Sequence, residues 1–204
     1  MKLLLPLPFL LLAACTAPGH TDNEAHDTAD AVRAEPDPQH PALRKQAVDT
    51  LLAHGRGHVS HYGRLADGDA VVPLGSDDLP VGMTTTYQVL RDGADHVVLV
   101  SESPVSESGD WSIAVAHYFD AQGRTYAFER RAAFFNSLCT DGLAHERSTR
   151  YYDHDGRELG SRHDLHDAAG HPLKREDCEF PYDFPYTMYP SLAELAATTG
   201  LPIP

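Results

Sequence analysis

The sequence predicts an α+β fold, with one N-terminal amphipathic helix packed on an antiparallel β-meander of five to seven strands and a short helix at the C-terminal end. Three observations carry this. From residue 84 to residue 165, segments rich in β-branched and aromatic residues follow one another with connections too short for a crossover helix, so neighbours must run antiparallel. A stretch of helical period stands before them. A turn signal, aspartate three residues ahead of glycine, recurs between the strand-like runs.

Pro41 suits a first helical turn. Leu43, Ala47, Val48, Leu51 and Leu52 then recur on one face, and Gly55 is a natural stop. The region from Arg56 to Pro80 reads as loop with one short strand. Its "HGRGHVSHYGR" clusters His54, His58 and His61, but Gly55 and Gly57 argue against a continuous helix, so the stretch reads as a flexible polar loop rather than a ligand set. Strands follow at 84–90, 96–102, 111–119, 124–135, 144–152 and 157–165. In the third, Trp111, Ile113, Val115, His117 and Phe119 share one face, taken as the core side.

The turns explain the most polar stretch of the chain, "YYDHDGRELGSRHDLHDAAGHPL". Asp120 and Gly123 sit in Tyr-Phe-Asp-Ala-Gln-Gly-Arg, and Asp153 and Gly156 in Tyr-Tyr-Asp-His-Asp-Gly-Arg. Asp167 and Gly170 form a weaker third copy. Aspartate accepts backbone N–H bonds at the first turn position, and glycine takes the left-handed conformation that returns the chain. This aromatic-aromatic-Asp-x-x-Gly pattern is similar to hairpin repeats of many bacterial envelope and secreted proteins, a resemblance that implies no particular activity. As an EF-hand the stretch fails, because setting Gly156 at the sixth position puts Tyr151 first and Arg162 twelfth, where carboxylates are needed. His163 and His166 point to opposite faces of a strand. His154, His166 and His171 from neighbouring hairpin ends are the remaining zinc candidates; no cofactor is otherwise expected.

In "FPYDFPYTMYP", prolines forbid a regular ladder and favour an extended path. Its aromatics, Phe180, Tyr182, Phe184, Tyr186 and Tyr189, either strap across the sheet or form a partner-binding strip of the kind enriched in interfaces. Ser191 with Glu194 is a capping-box pattern, and Gly200 closes a short helix through Leu192 and Leu195.

At the other end, Lys2 precedes an apolar run from Leu3 to Leu12, too short to span a bilayer as a helix and laid out like a secretory leader. Leu12-Ala13-Ala14-Cys15 resembles the lipobox of bacterial lipoproteins. The resemblance implies removal of residues 1–14 and acylation of Cys15, and Thr16, rather than aspartate, implies sorting to the outer membrane. Residues 15–40 are acidic and small and form a flexible tether; 41–204 have the length of one folded domain. With Cys15 lipidated, Cys139 and Cys178 remain, and an oxidising compartment leads us to expect them bridged.

Losing Lys2 takes the formal charge from −14 to −15. That charge gives no footprint for nucleic acid and is compatible with a basic protein partner. The sequence contains no H-E-x-x-H, no G-x-S-x-G and no phosphate-binding glycine loop. The reading that follows is a periplasm-facing lipoprotein of the outer membrane, held by its acyl chains, whose domain is a non-enzymatic protein-binding module. Its sharper form is an immunity or inhibitor protein against a basic wall-degrading enzyme. A divalent-metal binder, and a hydrolase using acidic loops near Asp67, Asp69, Asp77 and Asp78, are the alternatives.

Overall fold

The computed structural model describes residues 40–66, 68, 70–75, 80–135, 137–179 and 185–203. The leader, Cys15 and most of the tether lie outside the described residues, as do Phe180, Tyr182, Phe184 and the aspartates 67, 69, 77 and 78.

Helix α1 (Pro41–Ala53) leads into an eight-stranded antiparallel sheet: β1 (His58–Leu65), β2 (Val71–Pro73), β3 (Met83–Arg91), β4 (Val97–Pro104), β5 (Trp111–Phe119), β6 (Thr125–Phe134), β7 (Ala144–Tyr152) and β8 (Glu158–Asp167). Helix α2 (Leu192–Thr199) closes the chain. The order β2-β1-β3-β4-β5-β6-β7-β8 is a meander apart from the hairpin folded outside β1. Eight strands exceed the five to seven expected, and the difference lies at β1, whose sequence predicts a flexible polar loop. His58 and His61 belong to this strand, bonded to β3 on one side and to β2 on the other, while His54 caps α1. Gly57, just before the strand, and Gly63 within it have packing reasons. A Cβ at Gly57 would stand 2.5 Å from a Leu90 methyl, and one at Gly63 would stand 2.6 Å from the Met83 sulfur.

Both faces of β5 carry buried residues, which corrects the assignment of one core side there. Ile113, Val115, His117 and Phe119 are buried on one face, and Ala116 and Tyr118 are buried on the other. The second face packs under α1, where Leu90, Leu99, Tyr118 and Tyr126 meet Val48, Leu51 and Leu52. The helix face is rotated from expectation: Ala47 is exposed, and the buried side chain is Lys45, only 7% accessible. An apolar-period count cannot find a buried lysine whose ammonium is paired.

On the opposite face, Tyr87, Val89, Val100 and Phe119 pack against Leu195, Leu201 and Ile203 from the C-terminal segment. Ser191 accepts the Glu194 N–H at 3.2 Å, and Gly200 ends α2 at φ 71°, as the capping pattern predicts. The Cys139–Cys178 disulfide ties the β6–β7 loop to the chain after β8. Beside it the Glu179 N–H donates to the Ser137 carbonyl, and Leu138 is held at φ 63°, a strained conformation for leucine.

Candidate binding surfaces

The hairpin turns share one geometry. In each, the aspartate N–H donates to the carbonyl four residues on (Arg124, Arg157 and His171, each at 2.9 Å), and the glycine at φ 73°, 78° or 85° donates back to the aspartate carbonyl. The Asp120, Asp153 and Asp167 carboxylates each accept two further backbone N–H groups at 2.8–3.0 Å. Donation from Arg157 holds the Asp153 carboxyl below its ordinary range, and donation from His171 does the same for Asp167. Sequence reading missed a fourth copy at Asp92, whose carboxylate accepts the Ala94 and His96 N–H groups. There Asp95 stands at φ 66° in place of glycine, and a search that demanded glycine passes over it.

The histidine trio is not brought together. His154 lies in the β7–β8 turn, whereas His166 and His171 lie at the far end of β8, roughly 25 Å away at strand rise. His154 pairs with Asp155, His171 with Asp167, and His166 stacks on His145 at 5.2 Å. Among the described residues no group of three His, Cys, Asp or Glu could hold a metal ion. His163 faces away from His166, as the alternation predicts, and meets Glu146 at 3.0 Å.

The described part of the aromatic-proline segment straps the face opposite α1. The Tyr189 and Pro190 carbonyls accept from the Thr125 hydroxyl (2.7 Å) and N–H (2.9 Å). His117, almost fully buried, pins the strap from beneath: its Nε2 accepts the Tyr189 N–H at 3.0 Å, and the ring bonds to the Thr187 backbone. Burial lowers its pKa to about 4, only partly opposed by the bond to Thr187, so the ring is neutral at pH 7. Tyr189 is taken up by the core beside it. Tyr186 is 43% exposed, stacks on Phe128 at 5.6 Å, and has the Arg130 guanidinium 5.7 Å from its ring.

Between strap and sheet opens a cleft of about 220 Å³ lined by Glu102, Ile113, Val115, Pro185, Tyr186 and Tyr189. Glu102 is half-buried, and burial raises its pKa, with Arg64 acting in the opposite direction. No hydrogen bond or ion pair within 4 Å joins its carboxylate to another described residue. Directly across the ladder is Tyr87, whose buried hydroxyl has no hydrogen-bond partner among the described residues; burial first, and then the Glu102 charge, push it up to about 12. Arg64 itself donates to the Thr199 carbonyl at 2.6 Å.

A second and larger space, about 620 Å³, lies on the α1 side of the sheet, beyond the end of the sheet that the helix covers. Its floor is small: Ser101, Ser103, Ser112, Ala114 and Ala133. Trp111, packed against Ile113 and Phe134, borders one end, and Arg131, His145, Arg147 and His166 stand along the other side. A charged seam divides this space from the helix. Lys45 bridges Glu129 at 2.7 Å and Asp49 at 2.8 Å, Arg131 pairs with Glu129 at 3.0 Å, and the Tyr118 hydroxyl donates to Asp49 at 2.8 Å. Burial, then the Glu129 and Asp49 charges, raise the Tyr118 pKa.

No protein-family model matches the chain, and neither the curated proteins nor the solved structures contain a significant match.

Proposed function

We propose that this chain is an outer-membrane lipoprotein, anchored through Cys15 and facing the periplasm, whose domain is a non-enzymatic module that binds a basic envelope protein. One observation carries the binding reading: a half-buried carboxylate without a hydrogen-bond donor, Glu102, in a cleft walled by Tyr186 and Tyr189 on a protein of charge −14. A lysine or arginine side chain entering that cleft meets a carboxylate it can pair with and a tyrosine face that attracts cations. The surrounding negative charge steers a cationic partner toward the surface. Tyr186 supplies an exposed aromatic anchor on a strap that His117 and Thr125 hold rigid, which lowers the entropy cost of docking.

A basic wall-degrading enzyme of lysozyme or amidase type is the partner class that fits this charge, which makes the immunity or inhibitor form the sharper version of the proposal. The divalent-metal reading loses its support with the separation of His154 from His166 and His171. The aspartates of the hydrolase reading, Asp67, Asp69, Asp77 and Asp78, lie outside the described residues.

The test is a calorimetric titration of the full chain in detergent micelles against cationic lysozyme-like and amidase-like proteins. Runs at low salt and at about 1 M, where the Debye length is about 3 Å, separate charge pairing from the rest. The expected result is association that weakens with salt and that Glu102→Gln weakens by about tenfold or more, roughly 1.4 kcal/mol. Indifference of the whole panel would remove the proposal.

A further inference from the structure

The α1-side groove has a chemistry unlike the rest of the molecule. We propose that it is a second binding site, independent of the cleft at Glu102, and that its ligand is a short acidic oligosaccharide.

Under α1 the outward positions of the strands are Leu90, Leu99, Tyr118 and Tyr126; along the same strands, past the end of the helix, they become Ser101, Ser103, Ser112 and Ala114. Small side chains on consecutive strands leave a trough, and its 620 Å³ falls within the range of small-ligand sites. A surface needing only solubility would carry long charged side chains here.

The trough is lined with hydrogen-bonding groups that the protein does not use. The Gln88 amide and the Ser101 and Ser112 hydroxyls make no hydrogen bond to other described residues. Hydroxyls and amides both donate and accept, which suits ligand hydroxyls that do the same.

Charge selects among sugars. On a protein of charge −14, this wall carries the exposed guanidiniums of Arg131 and Arg147 beside the stacked imidazoles of His145 and His166. Glu129 and Asp49 share Lys45, and Glu129 also faces Arg131 and Arg147, so two carboxylates meet three cations and leave the wall positive. A guanidinium fork matches a carboxylate in both geometry and charge. A long polyanion would meet the acidic remainder of the surface, whereas a short oligosaccharide with separate carboxylates engages the wall alone.

The probe is trigalacturonic acid, titrated by calorimetry into the full chain in detergent micelles, with chitotriose as the neutral sugar and tricarballylate as the anion without sugar. Galacturonate is expected to bind at least tenfold more tightly than either control. Arg131→Gln with Arg147→Gln is expected to lower that affinity at least tenfold. Because those arginines also touch Glu129, Ser112→Leu serves as the second variant: it fills the trough from an exposed position and is expected to abolish binding while the circular dichroism stays unchanged. A muropeptide and a lipopolysaccharide core oligosaccharide, run as separate arms, tell a wall source from an outer-leaflet source. Equal binding of trigalacturonate and tricarballylate would reduce the site to an anion patch and overturn the proposal. So would unchanged affinity in Ser112→Leu, or no binding of any acidic sugar. None of these results depends on Glu102, so this site and the proposed partner cleft fail separately.

Discussion

On the strap side of the sheet the apolar positions of the middle strands are covered by chain that arrives late in the sequence: α2 over Tyr87, Val89 and Phe119, Met188 over Val115 and Phe128, and Leu173 over Ile113 and Phe134. On the α1 side a single helix covers one end and stops at the Lys45–Glu129 seam, leaving a serine-floored trough beyond it. The same strands serve both faces, since Ser101 and Glu102 are neighbours pointing opposite ways. Coverage is therefore decided by side-chain size at alternate positions and by where each covering segment is pinned. Large residues recruit a cover, and small polar ones leave space. The two openings that result have opposite charge, a carboxylate under tyrosines on one face and guanidiniums over serines on the other.

The largest effect should come from breaking the seam. Glu129→Ala leaves Lys45 buried without its nearest carboxylate, and removing one partner of a buried pair costs about 3–5 kcal/mol. Urea unfolding should show that loss, and a change below about 1 kcal/mol would mean that Asp49 alone holds α1. On the strap side, replacing both Cys139 and Cys178 by alanine should cost roughly 3–4 kcal/mol, because the bridge closes a separation of 39 residues. The helix-side trough should keep its ligand affinity in that variant.

His117 supplies a pH signature for the strap. Its folded pKa, about 4, lies below the ordinary imidazole value of 6.5, so the unfolded chain binds the extra proton first. Its contribution is full above pH 6.5 and is lost as pH falls toward 4, a drop of about 3 kcal/mol across that window. His117→Gln should flatten this part of the stability–pH curve, and an unchanged slope would assign the acid sensitivity elsewhere. The smallest effect should be Ser191→Ala, which removes the α2 N-cap at a cost of about 1 kcal/mol without altering either opening.

Much of the sheet was legible because β3 to β8 are β-branched and aromatic, with aspartate turns between them, and each was placed within about two residues. Cys139 and Cys178 were legible from compartment and count. Strand β1 was not, because its polar side chains find partners distant in sequence: Arg64 reaches the Thr199 carbonyl, and Gly63 makes room for Met83. Lys45 was missed for the same reason, since Glu129 lies on β6. Of the aromatic segment, the extended strap was legible, but not that Tyr189 would be spent on the core and Tyr186 left at the surface. The trough carries no local signal at all. Serines and alanines scattered over three strands become a floor only once the register is known.

The most direct test of the central claim is an NMR titration of the full chain in micelles with two probes, N-acetyl-lysine methylamide and trigalacturonate. The expected result is two disjoint sets of shifted amides. The lysine probe should move Glu102, Thr187 and Tyr189, and Glu102→Gln should erase those shifts; the acidic sugar should move Ser112, Arg131 and Arg147. A lysine probe that leaves the Glu102 cleft unmoved, or two probes that shift one common set, would contradict the account of a sheet with two chemically opposite openings.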